Sequence, residues 1–367
     1  MKLTYPIKVW NERSVTPTLS EIIASDTTHF QLVDQFREAD VIVFENDFPG
    51  YVRKSKEYKQ FPEKCVVIGE FDLPSYFLPG CYASNKSGAL SNNRIKTIPY
   101  FLSQRKVPNS FVDNAGNSDE NKYLYSFMGG STSWVRKKLF NLNLSSEDVC
   151  IKETNNYQHW NYESDYVNRK ELSQRQYADL MSQSSFFLCP RGAGISSIRL
   201  FEVMKAGKVP VIIADNWVPV DEIPWNDFSI TVSESELPRL DEIIRARKDE
   251  AVEMGLNARK AWEKYCDPSV HAPFLARSIQ AVQEKRNNTR ERLLHTVFPA
   301  IELVTYLRAN LRTQLKHMIL YAFDVTGFKF QYSLNRPIEE QLGKEHAPAK
   351  TEAWGMETSA LETKQAI

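Results

Sequence analysis

Mostly apolar runs alternate with helix-like stretches along the first third of the chain. The runs IKVWN, ADVIVFEND and KCVVIGEFD are rich in β-branched residues and end in polar or acidic ones. Runs without a polar face are typical of strands buried on both faces. The stretches TPTLSEIIAS and VRKSKEYKQF lie between them and have helical spacing. Residues 1–120 are therefore predicted to form a helix-covered parallel sheet, with only loops and short elements between residues 80 and 121.

A second series of strands and helices begins near Lys122. Its apolar runs are YLYSFMG, DVCIKE, SFFLC, VPVII and FSITV, with helical patterns between and after them. Two such arrays predict an α/β chain with two Rossmann-like β/α/β domains that face a cleft. We place the first domain at residues 1–120 and the second at 121–286, where two longer helices end it.

The remainder of the chain divides into an amphipathic segment and a polar tail. Residues 287–336 are predicted to form a helical extension, in which basic side chains lie among apolar ones: Arg308, Arg312, Lys316 and His317. Such a helix packs its apolar stripe on the body of the protein, or it lies on a membrane surface or a partner. The sequence leaves both interpretations open. Residues 337–367 are polar without periodicity and are predicted to be disordered.

The composition argues against several classes of protein. Lys and Arg together number 46, as do Asp and Glu, so the net charge is zero and no nucleic-acid partner is expected. The five cysteines are widely spaced and include no C-x-x-C pair, which argues against a disulfide scaffold or a structural zinc site. The stretch MKLTYPIKVWNERS lacks the apolar run of a signal peptide or membrane anchor. We therefore expect a cytoplasmic protein with reduced thiols.

The stretch CPRGAGISSIRLFEVMKAGKVPVIIADN joins two apolar runs through a glycine loop and a helical pattern. Gly192 and Gly194 would let backbone N–H groups approach an anion, and the start of the following helix adds further donors. Ser196 or Ser197 is the expected N-cap of that helix, and Gly207 its expected end. The spacing is neither that of a dinucleotide fingerprint nor that of a P-loop. The loop is a candidate phosphate site, although an ordinary strand–helix connection also accounts for its two glycines.

Arg199 and Glu202 are three residues apart and share one face of the predicted helix. One interpretation is an exposed intrahelical ion pair, which contributes little to stability. The other follows from the position of the helix between two buried strands, where charged side chains need partners. A nucleotide sugar would supply both partners, a diphosphate for the arginine and a ribose hydroxyl for the glutamate.

The spaced pattern C-P-x-G-x4-S-x-R-x2-E-x4-G-x2-P-V, from Cys189 to Val211, resembles the signature of exostosin-like glycosyltransferases. The flanking stretches YADLMSQSSFFLCPRG and VIIADNWVPVDEIPWNDFSITVSESELPRLDEII are similar to the same family, and KYLYSFMGGSTSWVRKKL more weakly so. The resemblance implies two Rossmann-like domains of the GT-B type, a nucleotide-sugar donor with UDP as the expected nucleotide, and inversion at the anomeric carbon. It implies no metal and no cofactor, in agreement with the lack of an Asp-x-Asp motif.

Carried over position by position, the resemblance predicts the donor-binding residues. Gly192, Ser197, Arg199 and Glu202 match the motif directly, and Gly194 completes the glycine loop. Without a metal, arginines and helix N-termini must neutralise the diphosphate leaving group. The candidates for this neutralisation are Arg136, Arg191 and Arg199.

An inverting transfer also needs a general base that takes the proton of the acceptor hydroxyl. We expect this base on the first domain, where four acids follow the ends of buried strands: Glu45, Asp47, Glu70 and Asp72. Each is also explained as an ordinary loop acid or helix cap. Glu70 and Asp72 are favoured because the strand before them is the longer one.

The resemblance thus predicts a cytoplasmic glycosyltransferase that moves a sugar from a UDP-sugar to a hydroxyl of a glycan. The acceptor is expected to be an oligosaccharide or a lipid-linked glycan, as in bacterial polysaccharide assembly. Residues 287–336 would hold the enzyme peripherally on the membrane if they bind lipid. A catalytically inactive protein of the same fold that binds sugars or nucleotides is the alternative.

Overall fold

A computed structural model of the chain describes residues 3–11, 17–45, 52, 54–72, 78–86, 94–106, 108–114, 121–142, 144, 146–154 and 164–293. These residues belong to one unit that spans Met1–Leu311. The predicted extension from residue 294 onwards, the predicted tail and Asp47 lie outside the described residues.

Six parallel strands form the first sheet in the order β2-β1-β3-β4-β5-β6. They are β1 (Ile7–Asn11), β2 (Phe30–Leu32), β3 (Val41–Phe44), β4 (Cys65–Gly69), β5 (Gly80–Tyr82) and β6 (Ile95–Thr97). Every residue of β3 and β4 is buried, as expected of strands in a sheet covered on both faces. Strands β5 and β6 lie where the sequence predicted only loops and short elements, and each has three residues, too few to produce a readable pattern.

In the part of the first 120 residues that the structure describes lie the helices α1 (Pro17–Ala24), α2 (Lys56–Gln60) and α3 (Phe101–Lys106). Helix α2 begins after Ser55, which caps it by accepting a hydrogen bond from the Tyr58 N–H. Two 3-10 turns complete this part, Pro62–Lys64 and Ser110–Asn114.

Five parallel strands form the second sheet in the order β11-β10-β9-β7-β8. All five were predicted, and they are β7 (Tyr123–Gly129), β8 (Val149–Glu153), β9 (Ser184–Pro190), β10 (Val209–Ile213) and β11 (Ile230–Val232). Two parallel sheets with helices between their strands confirm the predicted α/β fold with two Rossmann-like halves, the architecture of the GT-B type.

The helices described beside the second sheet are α4 (Trp134–Phe140), α5 (Ser164–Ser182), α6 (Ile198–Lys205), α7 (Leu240–Arg245) and α8 (Ala251–Tyr265). The 3-10 turns of this part are Trp225–Asp227, Leu237–Arg239, Lys248–Glu250 and Pro268–Val270. Gly207 follows α6 with a φ of 65°, which confirms the predicted glycine end of this helix.

Helix α9 (His271–Glu284) crosses back from the second sheet to the first. It contacts β5, β6 and α1. Buried arginines form hydrogen bonds that hold the residues after it in place. Arg286 donates to the Cys65 carbonyl at 2.8 Å, and Arg94 donates to both oxygens of Glu291 at 2.9 and 2.8 Å. The domain boundaries remain predictions, but the end of the predicted second domain packs on the first sheet.

Candidate functional site

The strand order of the second sheet creates a crevice between β7 and β9. Strand β7 pairs with β8 on one side and with β9 on the other, and the chain leaves β7 and β9 towards opposite faces. Helix α4 after β7 packs in one apolar cluster through Val135, whereas helix α6 after β9 packs in another through Leu200. Parallel α/β sheets bind ligands at such a switch point. The loops at residues 130–133 and 191–197 border it.

The Arg136 side chain is buried against backbone carbonyls at this crevice. Its Nε donates to the Pro190 carbonyl at 3.2 Å and its Nη1 to the Gly130 carbonyl at 3.3 Å. A Cβ on Gly192 would stand 3.4 Å from Nη2, so the glycine loop lies on the guanidinium. Burial, and after it the charge of Arg199, lowers the pKa of Arg136 to about 9. The group stays protonated at neutral pH, and a bound anion would offset the cost of its burial.

Arg199 lies in the first turn of α6 beside two aromatic rings. Its guanidinium carbon is 4.8 Å from the ring centroid of Phe127 and 5.6 Å from that of Tyr177. Nη2 donates to the Met128 carbonyl at 2.8 Å, whereas Nε and Nη1 are buried and have no hydrogen-bond partner among the described residues. A Cβ on Gly129 would stand 2.8 Å from Nη2, so any side chain at this position would force the guanidinium to shift. Buried donors are nearly always paired, and these two are candidate ligand donors.

One interpretation of the spacing of Arg199 and Glu202 was an intrahelical ion pair. The structure shows that this interpretation was wrong. The Glu202 Oε2 accepts a hydrogen bond from the Tyr177 hydroxyl at 2.9 Å. Burial raises the pKa of Glu202, and Tyr177 and Arg199 offset part of this effect. Burial, and after it Glu202, raises the pKa of Tyr177, so the phenol keeps its proton as a donor. The structure brings Arg199 and Glu202 to one site without a direct ion pair between them.

Arg191 borders the same crevice, but its charge is already balanced. Its Nε and Nη2 donate to the two carboxylate oxygens of buried Glu234 at 2.5 and 3.3 Å. The exposed ring of Trp134 has its centroid 5.8 Å from the Arg191 guanidinium. The expected role of Arg191 in neutralising a diphosphate stays a prediction, and its pairing with Glu234 distinguishes it from Arg136 and Arg199.

The glycine loop after β9 reaches across to the first sheet. The Ile195 N–H donates to Ser84 Oγ at 3.1 Å, and the neighbouring Gly194 lies directly against Asp72. Ser84 Oγ also donates to the Asp72 carbonyl at 3.2 Å. A Cβ on Gly194 would stand 2.6 Å from Asp72 Oδ1 and 2.9 Å from Ser84 Oγ, so the close approach needs a glycine. Ser197 occupies the predicted N-cap position of α6, but its side chain makes no capping hydrogen bond.

Two other acids that the sequence nominated are engaged within the first half of the chain. Both oxygens of Glu70 accept backbone N–H groups at the start of α3, from Leu102 and Ser103 at 2.7 Å each. Burial outweighs these hydrogen bonds and raises the pKa of Glu70 to about 7. Glu45 is buried and pairs with Lys106 at 2.9 Å. Each of these carboxylates therefore has a structural role.

Asp72 differs from these acids because solvent reaches its side chain. Partial burial raises the pKa of Asp72. Arg136 and the Gly194 N–H lower it, but by less. A solvent-accessible carboxylate with a raised pKa is suited to accept a proton from a hydroxyl group. Of the nominated acids that the structure describes, Asp72 is the one at the glycine loop.

Three negative or neutral findings concern membranes, metals and thiols. Among the described residues, no helix has both the length and the apolarity to cross a bilayer. The same part of the chain holds no group of three or more His, Cys, Asp or Glu side chains arranged as metal ligands. The five cysteines are free thiols, and four of them are buried.

Comparison with known proteins identifies the family of this site. Residues 67–247 match the profile of the exostosin GT47 domain. The chain is 29% identical over 218 residues to an exostosin-1 homolog of Caenorhabditis elegans, an alignment that covers 54% of each protein. Residues 67–247 thus belong to the exostosin-like glycosyltransferase family. A probable glucuronosyltransferase of Oryza sativa subsp. japonica is 44% identical over 70 residues, which cover 18% of this chain and 17% of the relative. The exostosin-like chain thus matches about half or less of the length of these relatives.

Solved structures resemble the exostosin-like chain only distantly. A glycosyltransferase from Rickettsia africae has a TM-score of 0.37 and 13% identity, with 77% of each chain covered. HepE from Anabaena, solved in complex with UDP and glucose, has a TM-score of 0.32 and 12% identity, with 74% of this chain and 70% of HepE covered. The fold assignment therefore rests on the two parallel sheets of the chain itself.

Sequence reasoning missed three residues of this exostosin-like site: Ser84, Tyr177 and Glu234. Tyr177 lies in a stretch that carried the resemblance, but its contact with Glu202 needs the tertiary fold. Glu234 comes directly after the β11 region, and the search for acids after strands would have found it if applied to the second sheet. Ser84 follows a three-residue strand, and no periodicity pointed to it.

Proposed function

We propose that this exostosin-like chain transfers a sugar from a UDP-sugar to an acceptor hydroxyl, with inversion and without a metal. The observation that carries the proposal is the pair of guanidiniums at the β7–β9 crevice. Within the described residues, Arg136 and Arg199 donate to carbonyls rather than to carboxylates, and two buried donors of Arg199 have no partner. A diphosphate matches this pair, because its oxygens accept charge-assisted hydrogen bonds from both groups.

The two arginines would stabilise the leaving group. When the bond between the anomeric carbon and the phosphate oxygen breaks, its electron pair passes to the diphosphate, and the guanidiniums oppose the added negative charge. The burial that lowers the pKa of Arg136 also removes water that would screen this attraction. Positive charge for this step is therefore supplied by side chains, which supports a metal-independent reaction.

Asp72 is the proposed general base. Its carboxylate would take the proton of the acceptor hydroxyl while the acceptor oxygen bonds to the anomeric carbon on the side opposite the diphosphate, which inverts the configuration. Glu70 and Glu45 are less suited, because the first holds two backbone N–H groups and the second is paired with Lys106.

Glu202 and Tyr177 would orient the nucleoside. The half-buried Glu202 carboxylate accepts from the Tyr177 hydroxyl, and a ribose hydroxyl would be a second donor to it. For the acceptor we propose an oligosaccharide or a lipid-linked glycan, used in the cytoplasm, with the segment after residue 293 as a membrane contact. UDP-glucuronic acid is a first choice of donor, because one relative is named a probable glucuronosyltransferase.

The test combines UDP release with UDP binding. The full chain is incubated with a panel of UDP-sugars in EDTA, and released UDP is measured, while calorimetry gives the affinity for UDP. Arg199→Ala should weaken UDP binding roughly 10- to 100-fold, since hydrogen bonds to charged groups contribute about 1.5–3 kcal/mol each. The matched control is Arg175→Ala, which removes a surface guanidinium that lies 3.6 Å from Glu171 on α5.

Each outcome has a distinct meaning. Normal UDP binding by a folded Arg199→Ala variant would refute the donor site. Binding of UDP-sugars without release of UDP, over the whole panel, would favour the inactive binding protein. Activity that appears only after Mn²⁺ or Mg²⁺ is added would contradict the metal-independent step.

A further inference from the structure

One buried aromatic ring contacts both guanidiniums of the candidate site. The centroid of the Phe127 ring is 4.8 Å from the guanidinium carbon of Arg199 and 5.8 Å from that of Arg136. Both distances lie within the ~6 Å over which the negative face of an aromatic ring attracts a cation. Phe127 is fully buried near the end of β7, where little water weakens this attraction. The two arginines therefore share one ring.

The shared ring bears on an electrostatic problem at this site. Two guanidiniums in one buried site repel each other, and burial, followed by the charge of Arg199, lowers the pKa of Arg136. Within the described residues, the hydrogen bonds of these two groups go to the carbonyls of Pro190, Gly130 and Met128, which carry no full charge. The ring supplies a further attraction that does not use a carboxylate.

An aromatic ring suits a diphosphate site better than a carboxylate would. A carboxylate beside the arginines would neutralise their positive charge and occupy the N–H groups that a phosphate needs. The face of a ring attracts the cation without taking up such a donor, and Nε and Nη1 of Arg199 have no hydrogen-bond partner among the described residues. The positive charge of the pair thus stays available to an external anion.

The Phe127 ring is held in a fixed position. Its strand pairs on both sides, with β8 and with β9, and its ring centroid is 5.6 Å from that of Phe140 on α4. A Cβ on Gly129 would stand 3.0 Å from Phe127 Cζ, so the end of the strand also lies against the ring. Arg136 comes from α4 and Arg199 from α6, which pack in different apolar clusters. A fixed ring gives these two long side chains a common point of contact.

We propose that Phe127 is a positioning residue for the diphosphate, because its ring holds the charged guanidiniums of Arg136 and Arg199 close enough together to bind one ligand. The inference rests on the proposed function of the site. Phe127 acts through the two arginines and does not touch the ligand. The competing explanation is an ordinary core phenylalanine, since the ring also packs among apolar side chains of the second sheet. Packing needs the shape of the ring, whereas the attraction of cations needs its electron-rich face.

The experiment changes the electron density of the ring and nearly keeps its shape. Mono-, di- and trifluorinated phenylalanine are incorporated in place of Phe127 in the full chain, and calorimetry measures the affinity for inorganic pyrophosphate. Each fluorine withdraws electron density from the ring face, so the affinity should fall stepwise, by roughly tenfold in the trifluorinated protein, because two cation contacts weaken together. The control is the same series at Phe186, a fully buried phenylalanine of the same apolar cluster on β9, and it should change the affinity less than about twofold.

Phe127→Leu and Phe186→Leu form a second matched pair that uses natural amino acids. Both remove a buried ring and should lower the free energy of unfolding in urea denaturation. Pyrophosphate binding should weaken about tenfold or more in Phe127→Leu, whereas Phe186→Leu should keep the wild-type affinity as long as it is folded.

Wild-type pyrophosphate affinity in the trifluorinated Phe127 protein would overturn the inference, because the ring would then act by its shape alone. Equal losses at Phe127 and Phe186 would also overturn it, since the effect would then be a general one on the fold. Failure of the proposed function is recognised separately, since Arg199→Ala would then bind UDP like the wild type. If Arg199→Ala loses UDP binding and fluorination at Phe127 leaves pyrophosphate binding unchanged, the donor site stands and only the positioning role is wrong.

Discussion

Gly129 is the position where a single methyl group should press directly on the Arg199 guanidinium. A Cβ there would stand 2.8 Å from Arg199 Nη2, whereas ordinary contact begins at 3.4 Å, so the guanidinium would have to retreat by about 0.6 Å. Such a shift would disturb the 2.8 Å hydrogen bond from Nη2 to the Met128 carbonyl. The Phe127 ring, with Cζ at 3.0 Å from the same Cβ, limits other ways to relax.

We expect Gly129→Ala to weaken pyrophosphate binding about tenfold or more, which corresponds to the loss of one hydrogen bond of a charged group, about 1.5–3 kcal/mol. Calorimetry measures the affinity, and urea denaturation reports whether the fold is retained. The control is Arg175→Ala, which removes a surface guanidinium and should bind pyrophosphate like the wild type. Wild-type affinity in Gly129→Ala, or equal losses in both variants, would refute the placement of Arg199.

Three further predictions concern stability. The pKa of Glu70 is raised from 4.5 to about 7 in the folded chain, so the free energy of unfolding should fall as pH rises through this window, by up to about 3 kcal/mol at about 1.4 kcal/mol per unit. Denaturation of Glu70→Gln should show a flatter profile, and an unchanged slope would contradict the assignment. Burial lowers the pKa of His271 from 6.5 to about 4, so the stability that the neutral ring contributes is present above pH 6.5 and is lost as pH falls towards 4. In thermal melts, His271→Gln should therefore lose less stability than the wild type over this pH range. Gly207→Ala, at a φ of 65°, should cost about 1–2 kcal/mol in urea unfolding, and Gly207→Asn should cost less.

Much of the fold could be read from the sequence, because long apolar strands carry their own signal. All five strands of the second sheet were predicted, and the first sheet was recognised from β1, β3 and β4. Strands β5 and β6 were missed because three residues show no periodicity, and they are strands only through pairing with β4 and with each other. The return of α9 to the first sheet was also missed, since an amphipathic pattern shows that a helix packs but does not show against what.

The candidate site was likewise predicted only in part from the sequence. The glycine loop, Arg199, Glu202 and Arg136 were nominated from the sequence, because glycines, arginines and acids beside buried strands are chemically conspicuous and because their spacing resembled a family. The acids of the first half were nominated as a group, and the sequence could not rank them reliably. Glu70, one of the two favoured, holds the start of α3, whereas Asp72 is the acid among the described ones that meets the loop.

The sequence by itself determined the kinds of element and the chemistry available to them, since periodicity, turn residues and side-chain charge are local properties of the chain. Only the tertiary structure decided which charges meet. It paired Arg191 with Glu234, left two donors of Arg199 without partners among the described residues, and set Asp72 against Gly194. These contacts join residues from 43 to more than 100 positions apart, from Arg191 to Glu234 and from Asp72 to Gly194. Contacts between residues so far apart in sequence depend on how the sheets and their loops pack, which no local sequence pattern encodes.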